Sequence, residues 1–243
     1  MTWRSWTSST TRPSSPTQTG SCSRWASRDC NASPLLDSDN AKESHVSAET
    51  PITWTQEFLD WLPWIETVDQ AGISREDRAQ VDKVLANRAG STYYEVLAND
   101  LESVRTRTVL FSDIFESKTG TPRSDRELAA TATSRVNGCV YCASVHARLF
   151  SNLSKKRDLM QRLLDAGFET ELPGRERAIV DLSVRLTRDP ETVTAADFTA
   201  LRSEGFDDLE ILDVIQSAAI FANANRLMLT LGEPARKAPN GAQ

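Results

Sequence analysis

Histidine is almost missing from this chain: 243 residues hold two, along with only four cysteines. So few cysteines in a chain of this length exclude a disulfide-built scaffold. Positive charge is in deficit, with 28 Lys and Arg against 34 Asp and Glu and a net charge of -6. That balance excludes a nucleic-acid partner, because binding phosphate needs a basic face. No apolar run nears the ~20 residues that cross a bilayer, so a membrane span is excluded too. Convincing strand alternation is also lacking, which turns the fold class to all-α. What is present is ordinary for a soluble globular protein: 39% apolar and 26% charged residues. The expected compartment is a reducing cytoplasm, where a close cysteine pair is chemical rather than structural.

The chain divides into two unequal parts. Residues 1–50 are dense in Ser, Thr and Pro, and Arg4, Arg12, Arg24 and Arg28 precede the first acid, Asp29. They show no apolar period, so the expectation is a disordered extension. An Arg- and Ser-rich, acid-poor start also fits a transit peptide or a start assigned too far upstream. Cys22, Cys30 and His45 lie here and are read as bystanders.

Residues 51–240 read as one helical domain. Trp54, Phe58, Trp61, Leu62, Ile65 and Val68 recur at spacings of three and four, which predicts a helix kinked at Pro63. Further helices are predicted from Ser74 to Ala89 and from Tyr93 to Phe115. Ser124 and Glu127 have the spacing of a capping box and predict a helix from Asp125 to Val136. Asn137-Gly138 is a turn, and the next helix starts near Cys139. Ser154 is expected to cap a segment ending before Gly167. Arg175 to Arg188 follows, and Thr194 opens a short helix ending at Gly205. Asp207 caps a last long helix with Leu209, Leu212, Ile215, Ala219 and Leu227 inward, closed by Gly232.

The chemistry concentrates in Gly138-Cys139-Val140-Tyr141-Cys142-Ala143-Ser144-Val145-His146. With Cys139 in a first helical turn, Cys142 at i+3 and His146 at i+7 share its face. Two cysteines so placed can close a disulfide, and a helix N-terminus favours thiolate over thiol. His146 sits one turn beyond Cys142 and can accept its proton. Glu127 would be roughly 18 Å from Cys139 in one straight helix. The turn at Asn137-Gly138 lets the helices fold back, so Glu127 can reach the histidine and raise its basicity. Other readings stay open at this level. Two thiolates and an imidazole are three of the four ligands zinc needs, with Glu127 available as a fourth. Cysteines also pack inertly in helical cores. Glu127 has a bland role available as the capping-box acid, and Tyr141 lies off the shared face as a packing residue.

Glu127-Leu128, then Asn137-Gly138-Cys139-Val140-Tyr141-Cys142 and His146, resembles the signature of the carboxymuconolactone decarboxylase/AhpD-like superfamily. Within it the chain is similar to the alkylhydroperoxidase D-like, "peroxidase-related" branch, whose final helix carries an Asn-Arg pair, here Asn225-Arg226. The resemblance is good from about Arg123 to Glu233, weaker before that, and absent from the first fifty residues. It implies an AhpD-like all-α fold assembling as homo-oligomers, often trimers or hexamers. It also implies hydroperoxide reduction or thiol-disulfide exchange with no bound cofactor, with a thiol or a lipoyl or peroxiredoxin-type protein as the redox partner. By position, Glu127 and His146 would form a proton relay to Cys142, which would attack the peroxide and become a sulfenic acid. Cys139 would then close the disulfide, and a reductant would reopen it. Tyr141 departs from the pattern, since the best-known members carry a second histidine there. A metal-binding or redox-sensing module without turnover is the competing expectation.

Overall fold

A computed structural model describes residues 52–69, 74–86 and 91–237. The extension expected over residues 1–50 lies outside the described residues. The described chain is all-α apart from one two-stranded ribbon. Its helices are α1 (Arg75–Leu85), α2 (Thr92–Leu97), α3 (Leu101–Phe115), α4 (Arg123–Val136), α5 (Val140–Ser154), α6 (Arg157–Ala166), α7 (Gly174–Arg188), α8 (Ala195–Ser203) and α9 (Asp208–Leu231). The ribbon pairs β1 (Leu59–Pro63) with β2 (Gly232–Arg236). None of the described helices is long and apolar enough to cross a membrane.

The ribbon corrects the first predicted helix. β1 runs antiparallel to β2, with Leu59 opposite Arg236 and Pro63 opposite Gly232. Leu59 and Trp61 point inward while Asp60 and Leu62 face out. Of the predicted stripe's residues in β1, only Trp61 points inward; Leu59, outside the stripe, is the other inward residue, which is the alternation of a strand. Pro63 cannot donate within a helix, and the strand's partner lies more than 160 residues away. Sequence windows cannot see such a partner. The expected helix from Tyr93 to Phe115 is two helices. Asp100 caps α3 by accepting from the Ser103 amide at 3.1 Å. Short polar side chains compete with the helical ladder in this way. Ser154 ends α5, and its hydroxyl accepts the Lys156 amide at 3.2 Å just before α6.

α4 is the axis of the fold. Every residue from Asp125 to Ser134 is buried. Ala129, Ala130, Ala132, Thr131, Thr133 and Ser134 are small enough for α5, α7 and α9 to close on it from several sides. Two apolar clusters flank this axis. One gathers Leu128, Phe150, Met160, Leu163, Ile179 and Val214. The other gathers Trp61, Tyr93, Phe115, Cys139, Cys142 and Phe221. Both predicted caps near the C-terminus form as reciprocal boxes, Thr194 with Asp197 and Asp207 with Glu210. The inward face of α9 differs from the expected one. Ile211, Val214, Ala218, Phe221, Ala224 and Asn225 are buried, whereas Leu209, Leu212 and Ala219 are exposed. α9 is apolar around most of its circumference, so periodicity alone could not choose the face that meets α4.

Candidate active site

The site begins with a turn. Gly138 takes φ of +79°, a left-handed conformation that suits glycine, and lets α5 reverse onto α4. Cys139 caps α5 from extended backbone; its amide donates to the Ser134 carbonyl at 2.9 Å and its carbonyl accepts from Ala143 at 3.0 Å. The reversal brings Glu127 of α4 beside His146 of α5.

Glu127 is completely buried, and its Oε2 is hydrogen-bonded by Nδ1 of His146. Its Oε1 accepts from Nε of Arg123. The capping box expected of Ser124 and Glu127 is absent: Pro122 precedes the helix with no side-chain cap. A fully buried carboxylate is better matched by an arginine and an imidazole N–H than by one amide. Burial pushes the Glu127 carboxyl up, but His146 and then Arg123 outweigh it, and its pKa lies below the ordinary value. Arg123 is held in turn by the Phe115 carbonyl at 2.6 Å and by the Phe115 ring at 5.0 Å. The imidazole sits edge-on to Phe221, with ring centroids 4.1 Å apart. With Nδ1–H given to Glu127, Nε2 is the nitrogen left to accept a proton.

Cys139 and Cys142 are both free and both buried. They share hydrogen bonds. The Cys142 thiol and backbone N–H lower the Cys139 pKa against the opposing effect of burial, and Asn225 lowers it further. The same contact with Cys139, together with burial, pushes Cys142 up. Of the two thiols, Cys139 is therefore the one that ionises more readily. Asn225 and Arg107 pull Cys142 back down without reversing the shift.

Of the four predicted residues, all on the α4–α5 hairpin, the structure joins Glu127 to His146 and Cys139 to Cys142. Tyr141 is half-buried against the cysteine cluster, as expected of a packing residue. Sequence reasoning missed the roles of Arg123, Phe221 and Asn225. Asn225 is fully buried; its Nδ2 donates to Ser134 Oγ and its Oδ1 accepts from Asn137 Nδ2, each at 3.0 Å. Its signal in the sequence was the Asn225-Arg226 pair of the final helix, noted there with no role attached. Among the described residues, no three His, Cys, Asp or Glu side chains form a group that could hold a metal ion.

Residues 103–164, from α3 to most of α6, match the carboxymuconolactone decarboxylase family. No curated protein matches the chain. Among solved structures, the chain is similar to an AhpD-core, peroxidase-related protein from Ralstonia eutropha JMP134. The identity is 24% and the TM-score 0.61, over 69% of this chain and 88% of that one. A peroxidase-related protein from Silicibacter sp. TM1040 is 23% identical with a TM-score of 0.59, over 71% of this chain and 93% of that one. The debrominase Bmp8 is 16% identical with a TM-score of 0.54, over 68% and 90%. At these identities the likeness is one of fold.

Proposed function

From a chain whose residues 103–164 match the carboxymuconolactone decarboxylase family and whose described helices take the AhpD-like fold, we propose a thiol-dependent reductase of alkyl hydroperoxides. One observation carries the reading. A free, mutually hydrogen-bonded dithiol stands at the start of α5, and one turn on, a buried carboxylate orients the histidine. A merely packed cysteine pair needs no buried Glu-His-Arg chain beside it.

In this reading Nε2 of His146 takes the Cys142 proton, and the sulfur attacks the terminal oxygen of the hydroperoxide. The O–O bond breaks, Cys142 becomes a sulfenic acid, and the alkoxide takes the proton from His146 to leave as the alcohol. Cys139, the more readily ionised thiol of the pair, attacks the Cys142 sulfur. Hydroxide departs and is protonated by solvent to water, leaving the disulfide. A dithiol or a lipoyl or peroxiredoxin-type protein supplies the two electrons that reopen it. Cys142 is taken as the attacking residue because the i+4 imidazole can move its proton; the contact with Cys139 and burial hold the resting thiol protonated, so that base is needed.

The test is a thiol count on reduced protein before and after one equivalent of an organic hydroperoxide. The expected result is loss of Cys139 and Cys142 together, restored by a dithiol, with steady turnover when the dithiol is in excess. Thiols that stay free would sink the reading. In Cys139→Ser protein a sulfenic acid should be trapped on Cys142; trapping only on Cys139, in Cys142→Ser protein, would reverse the assignment. One oxidation without turnover would favour a redox sensor.

A further inference from the structure

Tyr93, in α2, is buried in the same apolar cluster as Cys139 and Cys142. Its ring is held edge-on by Trp61 at 5.7 Å and Tyr94 at 5.4 Å. Its hydroxyl is buried and has no hydrogen-bond partner among the described residues. A phenylalanine would fill this place without leaving a polar atom unpaired, so packing does not explain the tyrosine. Beside it stands a second unexplained group. The Arg107 guanidinium lies 5.6 Å from the Tyr93 ring, its Nε is buried without a partner, and it pairs with no carboxylate among the described residues. Its Nη1 donates to the Tyr94 hydroxyl at 3.1 Å, and its charge lies over the Tyr93, Tyr94 and Phe111 rings rather than against an anion.

Arg107 also lines a groove of about 1110 Å³ between α3 and α9, together with Ile114 and Ile220. Those two isoleucines belong to the cysteine cluster, so the groove runs along its wall. Burial raises the Tyr93 hydroxyl well above its ordinary pKa; Arg107 opposes the rise, and Cys142 adds to it. The phenol therefore keeps its proton even when Cys142 is ionised, which is the state in which a donor is required.

We propose that Tyr93, backed by Arg107, is a catalytic hydrogen-bond donor to the inner oxygen of an organic hydroperoxide at Cys142. It stabilises the alkoxide as the O–O bond breaks. This rests on the peroxidase reading: Cys142 sulfur bonds the terminal oxygen, the bonding pair leaves with the inner oxygen, and Tyr93 holds that anion until His146 protonates it. A preorganised donor at a developing oxyanion acts only as charge builds there.

The test compares wild type with Tyr93→Phe against a series of hydroperoxides whose leaving alcohols differ in acidity. The rate constant for thiol oxidation should fall about tenfold to a hundredfold in the variant. The plot of log rate against alcohol pKa should steepen, because a less stabilised leaving oxygen depends more on its own acidity. The denaturation midpoint should hold or rise, and alkylation by iodoacetamide should keep its rate. An unchanged slope, with or without a slower rate, overturns the assignment and leaves the peroxidase reading standing. Wild-type thiols that no hydroperoxide oxidises would remove both.

Discussion

At the residue scale, the Glu127 carboxylate governs two measurable properties. It sets the tautomer of His146 and supplies the counter-charge for its protonated form. Glu127→Gln keeps the shape but removes the charge, so oxidation of the thiols by hydroperoxide should slow by about a hundredfold. Equal rates in both proteins would show that His146 works alone. The same group ties stability to pH. Its folded pKa is depressed, so its contribution is complete above the unfolded value near 4.5 and is lost as pH falls through the lower, folded value. Urea denaturation of wild type and Glu127→Gln between pH 7 and pH 3 should show the stability gap narrowing below about pH 4.5. A gap constant across that range would contradict the depressed pKa. The thiols have their own signature. Cys139 lies below the ordinary thiol value of 9.0, so its alkylation rate should rise at a lower pH than that of a free cysteine.

At the element scale, the ribbon of β1 and β2 is what holds Trp61 in the cysteine cluster. Trp61 Nε1 donates to the Met228 carbonyl of α9 at 3.2 Å. Gly232, opposite Pro63, leaves room for the closing strand: a Cβ there would lie 2.4 Å from the Leu62 carbonyl oxygen and 2.5 Å from the indole. Gly232→Ala should therefore cost about 1–3 kcal/mol by overpacking. It should also speed alkylation of Cys139 and Cys142 as Trp61 lifts. An unchanged denaturation midpoint would mean that the ribbon closes nothing. This element was hidden in the sequence for a definite reason. Trp61 and Leu62 fit the helical stripe, whereas the strand buries Leu59 and Trp61 and exposes Leu62, and the deciding partner is at the far end of the chain. The caps at Thr194 and Asp207, by contrast, are contained in four residues each and were legible.

At the scale of the whole molecule, α9 buries one face against α4 and leaves another apolar stripe in view. Leu212, Ala219 and Leu227 recur at helical spacing, with Leu212 46% exposed, and Leu110 of α3 lies across the groove, 51% exposed. Clustered exposed apolar residues mark an interface. A homo-oligomer is the expected assembly, and light scattering on the purified protein should give a multiple of the chain mass. Leu212→Glu should reduce it, and a monomeric wild type would remove the expectation.

The sequence by itself determined the helical class, the hairpin turn at Asn137-Gly138, and the four residues proposed to bear the chemistry. Those features depend on neighbours within a turn or two, or on residue types too scarce to be placed by chance. Tertiary structure alone decided that Glu127 serves His146 rather than a helix cap, that Asn225 reaches the thiols, and that Trp61 and Tyr93 wall them in. Each of those outcomes joins side chains across the fold, where the energy comes from burying and pairing groups that no local window contains together.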